Sequence, residues 1–306
     1  MNNNLQKYRG VIPAFYACYD DEGNVSVERT RSLAKYLYES GVQGLYVNGS
    51  SGECIYLSID ERKKILEAVM DEVGGKLTII AHVACNNTKD SMELAAHAQS
   101  LGVDAIAAIP PIYFRLPEHS IAKYWNDISS AALKTDFIIY NIPQLAGVAL
   151  TLPLLREMRK NPNVIGVKNS SMPVHDIQQF KAECGENSII YNGSDEQFIS
   201  GLVIGADGGI GGTYAVMPEL FIKMNELVNS GNLKKAKEIQ YAVNDIIADL
   251  CSCYGNMYAV IKAVIAKTRG LKLGGVRSPL ENISEDDMPK IKAIAQKVKQ
   301  TIEKFS

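Results

Sequence analysis

None of the six cysteines pairs in a C-x-x-C arrangement: Cys18, Cys54, Cys85, Cys184, Cys251 and Cys253 are scattered along 306 residues. That spacing excludes a zinc ribbon or a dithiol redox motif. The start, Met1-Asn2-Asn3-Asn4, leads into a polar segment without an apolar leader, so the expectation is reduced thiols in a cytoplasm. The four histidines, His82, His97, His119 and His175, lie far apart without metal-ligand spacing, and no metal is expected. No run of about 18 apolar residues occurs, which excludes a membrane-spanning helix. A formal net charge of -2 leaves no electrostatic reason for nucleic acid or an anionic membrane as partner. No nucleotide-binding glycine fingerprint follows the first apolar run, and no cofactor is expected.

What the chain does have is a strand-helix alternation with a period of roughly 30 residues, the size of one βα unit. Strands are read at Gly10 to Ala17, Gly44 to Asn48, Leu77 to Val83, Asp104 to Ile109, Phe137 to Tyr140, Asn163 to Lys168, Ile189 to Asn192 and Ala206 to Gly211. Helices between them open at Ser26, at the capping box Ser58-Ile59-Asp60-Glu61, at Thr88, near Glu118, at Thr151 and at Asp195. Eight such units in about 230 residues make an α/β fold of the (β/α)8 TIM-barrel type, with strand ends carrying the site. Past Met217 the pattern is helical: about Pro218 to Asn229, Leu233 to Cys251, Met257 to Thr268 and Ser284 to Lys304. The first closes the barrel and the last three form an appendage, so residues 1–230 read as the barrel and 231–306 as a C-terminal three-helix extension packed on it.

The sixth strand is the one around which the rest is arranged. Val164-Ile165-Gly166-Val167 is the short apolar run of a strand buried on both faces, and it runs into Lys168. A lysine at the end of such a strand is either a snorkelling cation or an amine whose burial lowers its pKa and frees a lone pair for a carbonyl. The other strand ends carry Gly49-Ser50-Ser51-Gly52-Glu53, Tyr113, Tyr140, Ser170, Gly193-Ser194-Asp195-Glu196 and Gly208 to Thr213. Two serines in a glycine-flanked turn offer hydroxyls and N–H groups to a carboxylate, and Tyr140 offers a phenol for proton relay. Each has a plainer reading: a turn, a buried ring, or a capping box at Ser194 with acids complementing a helix N-terminus. Their joint placement favours chemistry.

Gly49-Ser50-Ser51-Gly52-Glu53, Tyr140-Asn141-Ile142-Pro143 and Gly166-Val167-Lys168, in this order, resemble the Schiff-base lyases of pyruvate, the family of dihydrodipicolinate synthase and N-acetylneuraminate lyase. Tyr191 to Glu196 and Gly205 to Gly211 are similar to its N-acetylneuraminate lyase branch. The resemblance implies Lys168 as imine-forming nucleophile and Tyr140 as proton-transfer group, with Tyr113 reaching into a neighbouring subunit's site in a homotetramer. It implies a carboxylate cradle at Ser50 and Ser51, and contacts to a polyhydroxylated sugar tail from Gly193, Asp195 and Glu196. Ser170 stands where the branch often has threonine and keeps the hydroxyl. Gly212 stands where the branch usually has serine, which removes one side-chain contact. Leu145 occupies the place of the arginine with which the synthases hold a second carboxylate, which argues against that activity. The alternatives are a sister aldolase, synthase or dehydratase on the same lysine, a binding regulator that lost turnover, and a phosphate-binding barrel using the glycines at 208 to 212. The intact Lys168 and Tyr140 disfavour the regulator, and the absence of a basic residue near those glycines disfavours phosphate.

Overall fold

The computed structural model describes residues 5–305; the polar start Met1–Asn4 and Ser306 lie outside them. Eight strands, β1 (Gly10–Pro13), β2 (Gly44–Val47), β3 (Thr78–His82), β4 (Ala105–Ala108), β5 (Asp136–Asn141), β6 (Val164–Asn169), β7 (Ile189–Asn192) and β8 (Gly208–Gly211), form one parallel sheet in the order β1-β8-β7-β6-β5-β4-β3-β2. The sheet closes on itself. The Gln43 N–H donates to the Val11 carbonyl at 2.9 Å, and the Phe15 N–H donates to the Tyr46 carbonyl at 2.9 Å. The covering helices are α1 (Val27–Glu39), α2 (Ile59–Val73), α3 (Thr88–Leu101), α4 (Glu118–Ser130), the single turn α5 (Pro143–Ala146), α6 (Leu152–Met158), α7 (His175–Cys184), α8 (Phe198–Val203) and α9 (Pro218–Asn229). Then come α10 (Leu233–Cys251), α11 (Met257–Arg269) and α12 (Met288–Phe305). The molecule is a TIM barrel with a three-helix C-terminal extension.

Local chemistry sets most of the boundaries. The Ser58 hydroxyl accepts from the Glu61 N–H at 3.2 Å, and the Glu61 carboxylate accepts from the Ser58 N–H at 2.9 Å, which completes the expected capping box of α2. Ser26 and Thr151 cap α1 and α6 as expected. Thr88 does not cap α3; the neighbouring Asn87 does, its side-chain carbonyl accepting from the Asp90 N–H at 2.8 Å. β1 also stops short of the apolar run, at Pro13 instead of Ala17. Tyr16, Ala17 and Cys18 are buried after leaving the ladder, and the Tyr19 N–H donates to the Leu273 carbonyl at 3.0 Å. Their apolarity reflects cover from the C-terminal segment, not strand pairing.

The barrel interior has its own apolar cluster, with Ile12, Ile80, Ile138, Ile165, Ile189 and Ile210 stacked with Tyr46, Tyr140 and Tyr191. Tyr8 closes its N-terminal end. The Tyr8 hydroxyl lies 2.7 Å from an Asp136 carboxylate oxygen, and the Tyr191 hydroxyl donates to the Tyr8 carbonyl at 2.7 Å. Among the described residues, that end is plugged, which leaves the C-terminal mouth as the approach for a ligand.

The extension is tied to this mouth by a buried ion pair. Lys262 on α11 donates to Glu53 at 2.9 Å, with side-chain exposures of 1% and 0%. Glu53 ends the Ser50-Ser51 turn in the left-handed region (φ 55°) and also accepts from the Tyr19 hydroxyl and the Arg277 N–H. Every lone pair so engaged offsets part of the desolvation that burial imposes. Lys262→Met leaves the Glu53 carboxylate buried and uncompensated, and is expected to cost about 3–5 kcal/mol in denaturant unfolding. Adding Glu53→Gln to it should recover a large part. A single variant as stable as the parent would show that the pair contributes nothing.

Candidate active site

Parallel ladders place strand ends at one height, and their register decides which side chains meet. Tyr140 pairs with Lys168 across β5 and β6, and Lys168 with Tyr191 across β6 and β7. Gly166 permits this close approach: a Cβ there would lie 1.9 Å from the Ile189 carbonyl oxygen. Lys168 therefore enters the barrel mouth between aromatic rings, its Nζ 3.8 Å from the Tyr140 ring centroid and 4.3 Å from that of Tyr46. It is only 4% exposed. Burial pushes its pKa down to about 7, against the opposing pull of the Asp195 carboxylate. Near neutral pH a large share of this amine is therefore uncharged.

The amine lies on the wall of a cavity of about 230 Å3 that also takes in Ser50, Ser51, Tyr140, Ser170, Gly193, Asp195, Glu196 and Gly212. Of the ten sequence-predicted site residues, nine meet here and Tyr113 does not. Two larger hollows, of about 480 and 620 Å3, lie on the flank around α2, α3 and α4. Lys168 and Tyr140 line neither of them, and chemistry rather than size selects the smaller cavity.

Burial pushes the Tyr140 phenol up to about 12, against the opposing pull of the nearby Ser50 and Ser170 hydroxyls, so it rests protonated. Beneath it, the His82 ring packs edge-on at 6.1 Å, its Nδ1 3.0 Å from the Asn48 carbonyl oxygen. Burial drives the His82 pKa well below its usual value, so the ring is neutral packing.

Asp195 divides its work between its two oxygens. Oδ2 accepts from the Thr213 N–H at 2.7 Å and from the Thr213 hydroxyl at 2.6 Å, while buried Oδ1 has no partner among the described residues. Burial pushes the Asp195 carboxyl up to about 6. Ser194 makes no capping bond, so the capping-box reading of this segment does not hold; the Asp195 carboxylate is turned across to β8 instead. Glu196 is exposed at the rim. Gly193 is required sterically, because a Cβ there would lie 2.0 Å from the Ser170 hydroxyl oxygen.

Tyr113 is not brought into the cavity of its own chain. It is 90% exposed, strained at φ 85°, and packed edge-on against Phe114 at 5.0 Å. The structure places Thr213, read among the strand ends, in the wall and adds residues that the sequence reading did not assign to the site: Ile142 near its strand end, Ile247 on α10, and Met257 and Tyr258 on α11. The α10 and α11 residues belong to the appendage, and no spacing in the sequence reveals that α11 lies against the mouth. The one available signal was Glu53, an acid in a buried turn that requires a cation from elsewhere.

The model of the dihydrodipicolinate synthetase family matches residues 7–298. The chain belongs to that family. Within the dihydrodipicolinate synthetase family, an N-acetylneuraminate lyase of Mediterraneibacter gnavus is 64% identical over 302 residues, covering 99% of this chain and 96% of the relative. A structure of a catalytic lysine mutant of the Ruminococcus gnavus sialic acid aldolase superposes with a TM-score of 0.98 at 64% identity, covering 99% of each chain. A Clostridium difficile protein, CdNal, solved in complex with mannosamine, gives a TM-score of 0.88 at 31% identity, covering 97% of this chain and 99% of that one.

Proposed function

We propose that this chain is a class I aldolase, a carbon–carbon lyase that reversibly cleaves N-acetylneuraminate to pyruvate and N-acetylmannosamine. The observation that carries the reading is Lys168: a buried amine, depressed to about 7, on the wall of a cavity that Tyr140, Asp195 and Glu196 also line. The names of the relatives point to the same substrate.

The steps follow from the side chains. The Ser50-Ser51 turn holds the carboxylate of the 2-keto acid. The neutral Lys168 amine adds to C2, water leaves, and the protonated imine becomes an electron sink. As the C3–C4 bond breaks, the proton of the C4 hydroxyl passes to Tyr140, whose own proton moves through the Ser50 hydroxyl to the bound carboxylate, from which it is later returned to C3 of the enamine. The electron pair of the broken bond becomes the enamine of pyruvate, C4 leaves as the aldehyde of N-acetylmannosamine, and protonation at C3 followed by hydrolysis restores the amine. Asp195, Glu196 and the Gly193 backbone receive the hydroxyls of the tail. Leu145, exposed at the rim, offers no cation to a second carboxylate, and the synthase reading lacks that partner.

The protein is further proposed to be a cytoplasmic homotetramer in which Tyr113 completes the relay of a neighbouring subunit. The exposed, strained Tyr113-Phe114 pair supports the contact, and six unpaired cysteines fit a reducing compartment. Among the described residues no helix is long and apolar enough to cross a membrane.

Incubation with N-acetylneuraminate should release pyruvate and N-acetylmannosamine in equal amounts; no pyruvate release would overturn the assignment. Glu196→Gln tests the tail. A lost hydrogen bond to a charged group lowers kcat/KM roughly 10–150-fold, and solvent at the rim places this case near 10-fold. Imine formation with pyruvate and the melting temperature should not change. A lowered melting temperature with unchanged kcat/KM would assign Glu196 to the helix terminus alone.

A further inference from the structure

The hydroxyls of Ser51 and Tyr258 meet at 3.2 Å on the cavity wall. Two hydroxyls sharing one hydrogen bond use one of their two protons. Among the described residues no second acceptor takes the other, so one O–H is left for whatever enters the cavity. Gly212 lies beside them: a Cβ at that position would sit 3.2 Å from the Ser51 hydroxyl oxygen and 3.5 Å from that of Tyr258. The Gly212 carbonyl is held by the Tyr16 hydroxyl at 2.5 Å, and the Tyr16 and Tyr258 rings pack at 6.0 Å between centroids. The phenol of Tyr258 thus stands next to the room that a side chain at 212 would fill, in a fixed pose. Ser50, Ser51 and Tyr258 bring hydroxyls to the cavity, and Ser51 is the residue that the Schiff-base reading gives to the carboxylate, while Asp195 and Glu196 bring carboxyl groups. An anionic group belongs with the donors and a polyol with the acceptors.

We propose that Tyr258 is a binding residue for the reaction, its hydroxyl joining Ser51 as a donor to the carboxylate of the 2-keto acid and supplying from α11 what Gly212 does not supply from β8. The inference rests on the Schiff-base reading and adds a ligand contact to it. Pyruvate tests it directly, because pyruvate has the carboxylate and no tail. Borohydride trapping of pyruvate on the enzyme, followed by mass spectrometry over a range of pyruvate concentrations, gives half-saturation and final extent separately.

Tyr258→Phe should raise the half-saturating pyruvate concentration about 10- to 100-fold, the size of one lost hydrogen bond to a charged group, with final extent and melting temperature unchanged. Gly212→Ser in the Tyr258→Phe background should recover part of the loss by restoring a hydroxyl from the other wall. If the parent enzyme traps no pyruvate, the Schiff-base reading falls and this inference with it. If the parent traps pyruvate and Tyr258→Phe traps it at the same concentration, only this inference is overturned. It is overturned too if cleavage of N-acetylneuraminate alone weakens, which would place the hydroxyl on the tail. A rise in half-saturation that comes with a lower melting temperature and is not relieved by Gly212→Ser would make Tyr258 merely structural.

Discussion

Lys168→Met is expected to yield a folded protein that cleaves no N-acetylneuraminate and retains no pyruvate after borohydride. The parent should gain one reduced pyruvyl group, at Lys168 and nowhere else. Methionine keeps the length of the side chain between the Tyr46 and Tyr140 rings and removes only the amine, so loss of turnover reads chemistry and not packing. In the parent, imine formation should rise with pH through an inflection near 7, because the nucleophile is the neutral amine. Stability gives a second signature of known sign. The folded-state pKa of Lys168, about 7, lies below its unfolded value, so between about pH 7 and 10.5 the unfolded chain binds more protons. Folding therefore carries a penalty that is full below pH 7 and fades as pH climbs toward 10.5. The methionine variant lacks the penalty and should melt above the parent at pH 7, with the gap closing at alkaline pH. Labelling of another lysine, or undiminished turnover in the variant, would remove Lys168 from the mechanism.

Tyr140→Phe is expected to lower kcat by about 10²–10⁴-fold while pyruvate is still trapped. The ring that lies 3.8 Å from the amine is retained, so the surroundings of Lys168 change little. What is lost is the hydroxyl near those of Ser50 and Ser170, and both of those line the cavity, where water can replace the missing partner. The stability cost should therefore be small, about 0.5–1.5 kcal/mol. Rapid trapping with slow cleavage would separate carbon–carbon bond breaking from imine formation. An unchanged kcat rules out the relay.

The parts of this arrangement that were legible in the sequence are those fixed by periodicity and register. Lys168 and Tyr140 end neighbouring parallel strands, and counting along two apolar runs places them side by side. The Ser58 box was equally local. Where the sequence misled, a tertiary contact had overridden a local rule. Tyr16, Ala17 and Cys18 are apolar because the extension covers them, and Asp195 ignores the helix that follows it because two Thr213 donors face it from just beyond β8. Tyr258 was invisible for the same reason: its place on the wall depends on how α11 docks, and the residues around it carry only a helix pattern.

The Ser51–Tyr258 and Glu53–Lys262 contacts join positions 207 and 209 residues apart in the chain. Loop closure over such a span follows the local pairing of neighbouring βα units, so these contacts belong to the late stages of folding. On a ribosome the serine turn emerges long before the helix that completes its wall, and a growing chain that has already closed its barrel still lacks the Tyr258 side of the pocket. On the proposed role of Ser51 and Tyr258, carboxylate binding then reports that the last quarter of the chain has arrived. A pyruvate-trapping signal during refolding should lag the recovery of barrel secondary structure, which makes the chemistry itself a clock for the final docking step.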